Sequence, residues 1–203
     1  MTVVLAFDTS TRQTGWVRGD ILRGPIHIGN FEVPEADRRN MGRLLTAWAY
    51  RARPLFAGVD KVFFEAPILP YGGTNITTLR QLYSIAAHVE LLAHEAGCDC
   101  VEVDNGKHKQ LLYKKGGVKP VNAAAFAASW GLPARNSDEA DACGVFLYGI
   151  QQEHPDVFTR WLRVNAKSPT VTRIEPPKKR GSKPARGKKP KQRKSGHNDP
   201  TLF

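Results

Sequence analysis

Apolar positions along this chain repeat first with the period of a strand and then with that of a helix. Residues 3–7 (Val3, Val4, Leu5, Ala6, Phe7) form a short unbroken apolar run, β-branched at its start, which predicts a strand buried on both faces. Residues 15–18 and 26–31 read as two further strands separated by the turn signals Gly19-Asp20 and Gly24-Pro25, so the chain is expected to open with a β-meander. Met41, Leu44, Leu45 and Trp48 then fall at i, i+3, i+4 and i+7, the stripe of an amphipathic helix, and Pro54 stops it. A fourth strand is predicted at 59–65, where Val59, Val62, Phe63 and Phe64 are apolar. Beyond a Pro/Gly-rich loop at 67–75, a long helix starts near Thr77 and runs until Gly97 ends it. A fifth strand at 98–103 precedes helices at 106–113 and 121–130, with the loop Lys114-Lys115-Gly116-Gly117 between them. Ser137 is a good N-cap for a last helix, Asp138 to about Gln152. This order predicts an α/β domain: a mixed five-stranded sheet flanked by helices.

From about Asn165 the pattern stops. The remaining residues are Lys, Arg, Pro, Gly and Ser with almost no large apolar side chain, a composition that cannot bury enough surface to order itself. The expected organisation is a folded domain at 1–164 and a disordered basic tail at 165–203. The tail carries twelve Lys/Arg against Glu175 and Asp199 alone, or +10 of the net charge of +11, so residues 1–164 are close to neutral. A disordered polycation binds DNA through counterion release, without sequence preference. No apolar run reaches eighteen residues, and the first residues lack the basic start of a signal peptide. Three cysteines, an odd number without C-x-x-C spacing, point to a reduced cytoplasmic setting rather than to disulfides or zinc.

Four acids then stand where acids are badly placed for folding alone. Asp8 directly follows the first strand, and Glu65 directly follows Val62-Phe63-Phe64. If strands one and four are neighbours, the two carboxylates meet at one sheet edge. Asp138 and Asp141 lie at i, i+3 near a helix start and share a face, while Ala140, Ala142, Cys143, Val145 and Phe146 mark that helix as packed on the body. Clustered carboxylates raise one another's pKa unless a cation neutralises them, and hard divalent ions such as Mg²⁺ or Mn²⁺ suit oxygen ligands. Two such ions can activate water and stabilise the leaving oxygen in phosphodiester hydrolysis. Each acid also has a plainer reading. Asp8 can cap a turn through Thr9 and Ser10, Glu65 can form a strand-end ion pair, and Asp138 can answer the helix dipole. Glu139, about 100° around the helix from Asp138, reads as solvated. The six histidines show no ligand spacing; His108, between Lys107 and Lys109, could approach the metal site, but the favoured reading is a surface residue. Trp16, Trp48, Trp130 and Trp161 are expected to fill or flank the core.

Taken in order, these residues resemble the RuvC-type Holliday-junction resolvases of the RNase H-like fold, particularly their phage-borne relatives. The resemblance is carried by Val4-Leu5-Ala6-Phe7-Asp8-Thr9-Ser10 with Thr14-Gly15-Trp16, by Phe63-Phe64-Glu65, by the helix through Leu79, Leu82 and Ala86, by the basic stretch from Val101 to Lys119, and most specifically by Ser137-Asp138-Glu139-Ala140-Asp141-Ala142. It spans residues 1–152. It implies a crossover junction endodeoxyribonuclease with Asp8, Glu65, Asp138 and Asp141 as catalytic Mg²⁺ ligands. Lys109 and Lys119, with Lys107 in the same basic stretch, would contact DNA, and a C₂ homodimer would act on branched DNA. Where the family places a wedging aromatic after the second acid, the nearest candidate is Tyr71, for which stacking on a base is the functional reading. The terminal Leu202 and Phe203 partly resemble the Leu-Phe motifs that dock in the bacterial sliding clamp, without the usual leading glutamine. Three other readings stay open: an actin-like ATPase or tRNA-modification subunit, which would need further glycine-rich phosphate loops; a non-catalytic junction-binding module; and another RNase H-like nuclease.

Overall fold

The computed structural model describes residues 2–20, 26–67, 75–113 and 122–165. Strands β1 (Val3–Asp8), β2 (Gln13–Asp20) and β3 (His27–Glu32) form the expected antiparallel meander. β4 (Lys61–Glu65) and β5 (Asp99–Val103) then add in parallel beside β1, giving a mixed sheet in the order β3-β2-β1-β4-β5. β1 is therefore central, which is why its apolar run is unbroken. Val4 and Ala6 face one layer of core while Leu5 and Phe7 face the other, and all four are fully buried.

The layer around Leu5 and Phe7 is covered by α2 (Met41–Ala52) and α3 (Ile76–Ala96). The predicted stripe of α2 holds, with Leu44 and Trp48 buried, and the Phe7 and Trp48 rings lie 5.7 Å apart. Trp48 keeps its one polar atom satisfied by donating from Nε1 to Thr14 Oγ1 at 2.9 Å. Asn40 caps the start of α2 and Asn75 that of α3, while Gly97 closes α3 at a left-handed φ of 71°.

On the opposite face lie α4 (Asn105–Tyr113), α5 (Ala123–Ser129), α6 (Ser137–Glu153) and α7 (Pro155–Asn165). The central member is α6, buried from Glu139 to Leu147 and again at Gly149 and Ile150. It is apolar almost all round because it lies between the sheet and its neighbouring helices. Glycine makes the closest approaches possible: a Cβ at Gly149 would meet the Phe63 ring of β4 at 2.4 Å.

Two α-helices and a 3₁₀ turn (Arg53–Phe56) lie outside the predicted set. A single turn, α1 (Glu35–Arg38), precedes α2, and α7 continues the domain past residue 152. The second was readable: Phe158, Trp161 and Leu162 follow i, i+3, i+4, and all three pack against the core. Trp161 stacks on Trp130 with centroids 6.4 Å apart. The tail from 166 lies outside the described residues, and no helix among those described is long and apolar enough to cross a membrane.

Candidate functional site

β1 and β4 run parallel with Phe7 opposite Phe64, so Asp8 and Glu65, each one residue further on, leave the sheet side by side. The turn after Asp8 is held tightly. Ser10 Oγ accepts from Gln13 N at 3.0 Å and donates to Gln13 O at 2.7 Å, and Thr9 Oγ1 donates to the Glu65 carbonyl at 3.4 Å. β5 ends at the same edge and passes directly into α4, whose first turn is capped by Asp104 Oδ1 accepting from the N–H groups of Gly106 and Lys107. The third carboxylate comes from α6, which crosses β1 and β2 and buries Asp141. Asp8, Glu65 and Asp141 are 8%, 5% and 4% exposed, so three acids share one largely desolvated place. Asp138 lies one helical turn earlier and is half-buried.

The charges in this pit are tightly interlocked. Burial pushes the Asp8 carboxyl well above the usual carboxylate range, and the hydrogen bond and charge of Glu65 and the charge of Asp141 push the same way. Burial also acts to raise Glu65, but the hydrogen bond from Asp8, the Lys109 and His108 charges and the Lys109 hydrogen bond outweigh it, leaving Glu65 below its ordinary value. The two shifts run in opposite directions, so the protonated form is favoured at Asp8 and the ionised form at Glu65. Lys109 Nζ donates to Glu65 Oε1 at 2.7 Å and to Asn105 Oδ1 at 3.0 Å. For this lysine, burial disfavours the cation, yet the Glu65, Asp141 and Asp8 charges keep its pKa raised. The Tyr113 hydroxyl donates to Asp141 Oδ1, and burial together with that bond raises the phenol pKa.

Among the described residues no three His, Cys, Asp or Glu side chains already converge into a cation cage. Glu65 is engaged instead by the Lys109 ammonium and Asp141 by the Tyr113 hydroxyl. The donor set nonetheless fits a hard divalent ion, because three buried carboxylates gathered at one edge call for positive charge.

Two sequence expectations are corrected here. Glu139 is not solvated. It is fully buried, accepts from Asn30 Nδ2 at 2.9 Å and Arg135 N at 2.7 Å, and pairs with the Arg135 guanidinium at 2.8 Å. His108 is not a surface residue. Its ring is fully buried with Nε2 3.8 Å from Glu65 Oε1, and burial lowers its pKa although Glu65 opposes this. Both errors were avoidable from spacing. Glu139 stands at i−3, i−4 and i−7 from Ala142, Cys143 and Phe146, and His108 at i−3 and i−4 from Leu111 and Leu112. Tyr113, Asn30 and Arg135 carried no comparable signal. Lys107 is exposed at the start of α4. Tyr71, Lys119, Leu202 and Phe203 lie outside the described residues.

RuvC from Thermus thermophilus, solved in complex with a Holliday junction substrate, superposes with a TM-score of 0.56 at 15% identity, covering 82% of this chain and 98% of that one. A second T. thermophilus RuvC structure gives 0.55 at 14% identity, covering 80% and 96%. This is the RuvC-type, RNase H-like fold. Neither the family models nor the curated proteins match the sequence. In an α/β sheet the carboxyl ends of parallel strands are the natural place for a site, and Asp8 and Glu65 end β1 and β4 there.

Proposed function

We propose that this chain is a divalent-metal-dependent endodeoxyribonuclease that cuts branched DNA, with the Holliday junction as its expected substrate. The observation that carries the reading is the burial of Asp8, Glu65 and Asp141 together at one sheet edge, in a fold shared with a RuvC solved on junction DNA. Asp8, Glu65 and Asp141 would hold Mg²⁺ or Mn²⁺, with Asp138 approaching from the first turn of α6. When bound, one or two such ions supply an activated water and offset charge on the leaving oxygen.

The chain's own groups prepare that site. Burial and the neighbouring Glu65 and Asp141 charges favour the protonated form of Asp8, and a cation held there would favour its carboxylate. The Asp8 hydrogen bond and the Lys109 ammonium favour the ionised form of Glu65. Lys109 is only partly buried, and a DNA phosphate offers it an alternative anion. Tyr113 fixes the orientation of Asp141.

The homodimer belongs to the same proposal. Along α3, Ile76, Tyr83, Ala87 and Leu91 are exposed on one side of the helix with Arg80 and Glu90 among them, an apolar and charged stripe suited to an isologous contact. Lys107 and Lys119 are proposed DNA contacts, Tyr71 a base-stacking residue, the tail a non-specific DNA anchor, and Leu202-Phe203 a sliding-clamp contact. The actin-like reading gives α6 no role, although α6 delivers one of the three buried acids.

The test is incubation with Mg²⁺ and labelled four-way junction, linear duplex and RNA–DNA hybrid, repeated with Asp8→Asn. Junction cleavage lost in the variant supports the proposal. Junction binding with no cleavage would make the chain a non-catalytic module, and preferred cutting of the hybrid would move it to another RNase H-like activity.

A further inference from the structure

The His108 ring is enclosed between α4 and α6 in a space that the chain leaves open for it. A Cβ at Gly144 of α6 would lie 3.1 Å from His108 Cδ2, so a larger residue there would press on the imidazole. At the other side His108 Nδ1 lies 3.1 Å from the Asp104 carbonyl oxygen. A carbonyl only accepts, so Nδ1 carries the hydrogen and Nε2 is left with its lone pair in the neutral ring. That Nε2 is buried without a hydrogen-bond partner. It faces Glu65 Oε1 across 3.8 Å, too far for a hydrogen bond and with an acceptor at each end. A buried, unpartnered imidazole nitrogen 3.8 Å from a carboxylate oxygen leaves a gap that a cation with two metal–ligand bonds of about 2.1 Å can span.

We propose that His108 Nε2 is a nitrogen ligand to the divalent ion held by Glu65, making the site a mixed nitrogen–oxygen centre that prefers Mn²⁺ to Mg²⁺. The inference rests on the metal-dependent reading above and names the ion more closely. Mg²⁺ takes oxygen almost exclusively, whereas imidazole adds affinity for transition-series ions. The Nδ1–H bond to the Asp104 carbonyl is the arrangement that metal-bound histidines use to fix ring orientation. Lys109, sharing Glu65 Oε1, is the cation that the ion would displace.

The test uses the full chain loaded with Mn²⁺ alone and read by pulsed electron paramagnetic resonance, together with calorimetric titration of Mn²⁺ and Mg²⁺. Expected are a ¹⁴N coupling that becomes a ¹⁵N coupling when histidine is ¹⁵N-labelled, and its loss in His108→Leu. Affinity for Mn²⁺ should fall about 10- to 100-fold in that variant, with Mg²⁺ affinity changed much less. His108→Gln serves if the leucine variant does not fold. Mn²⁺ bound in the wild type and lost in Glu65→Gln, but without histidine nitrogen coupling, overturns the histidine ligand and leaves the metal site standing. Coupling that persists without His108 overturns it equally. Absence of Mn²⁺ and Mg²⁺ binding to the wild type overturns both this inference and the metal-dependent reading.

Discussion

Gly15 of β2 and Asp138 of α6 touch through their backbones: a Cβ built on Gly15 would lie 2.0 Å from the Asp138 carbonyl oxygen and 3.0 Å from Glu139 N. No side chain fits there, so the first turn of α6 rests directly on the sheet, and that turn aims Asp138 and Asp141. Gly15→Ala is expected to destabilise the domain by about 1–3 kcal/mol through overpacking. Junction cleavage should fall further than the loss of folded protein explains. Urea unfolding and single-turnover cleavage at full folding check this; equal activity per folded molecule would show that the contact does not position the acids.

A second restraint on the same turn is the Glu139 carboxylate, bound by Asn30 of β3, by Arg135 N and by the Arg135 guanidinium. Glu139→Ala leaves a buried amide unpaired and should cost about 2 kcal/mol. Glu139→Gln should cost less, since its carbonyl still accepts from one donor. Arg135→Ala should cost least of the three, because that side chain is 75% exposed and its backbone bond survives. The order of the three unfolding midpoints is the measurement, and Arg135→Ala as the most damaging change would contradict it.

The elements were legible because their periods differ: β1 with both faces buried, the α2 stripe through Leu44 and Trp48, and α3 closed by Gly97 all follow from spacing. The meeting of Asp8 and Glu65 depended on one further condition, the parallel pairing of β1 with β4, which the sheet order supplies. Glu139 and His108 were misread for a common reason. A polar residue was assigned to solvent by its type, although each stands on the apolar face of its own helix. Tyr113 and Asn30 act across elements distant in sequence, and only tertiary packing brings them to their partners.

The cysteines give a test of packing independent of function. Burial, with nearby Glu90, pushes the Cys100 thiol up to about 12, and burial raises Cys143 further still. Native protein at pH 8 should therefore alkylate slowly, with half-buried Cys98 first and fully buried Cys143 last. Unfolding should release all three to equal rates. Rapid native labelling of Cys143, read by mass spectrometry, would place α6 away from the sheet.

The α3 stripe predicts the oligomeric state. Tyr83→Asp with Leu91→Asp changes two exposed residues and should leave the fold intact. If α3 forms the proposed isologous contact, light scattering should show dimer for the wild type and monomer for the double variant. An unchanged dimer would assign the contact elsewhere, and a wild-type monomer would remove the homodimer from the proposal.

Asp8 yields the sharpest prediction because its sign is unusual. Its folded pKa is raised, so the folded chain holds this proton more tightly than the unfolded chain, where an aspartate titrates near about 4. The contribution to stability is full below that value and is lost as pH rises through the folded pKa. Glu65 works oppositely, since its lowered pKa favours the fold above the unfolded value. With chelator present, Asp8→Asn should therefore be more stable than wild type at pH 8, by more than at pH 5, because asparagine keeps a donor to Glu65 and removes the buried charge. A divalent ion should reverse the order: Mn²⁺ should raise the wild-type melting temperature most at high pH and leave Asp8→Asn almost unchanged. Cleavage by the variant should be undetectable. Melting curves with chelator and with Mn²⁺ at the two pH values decide it, and an Asp8→Asn protein less stable than wild type at pH 8 in chelator would show that Asp8 is ionised and compensated without metal.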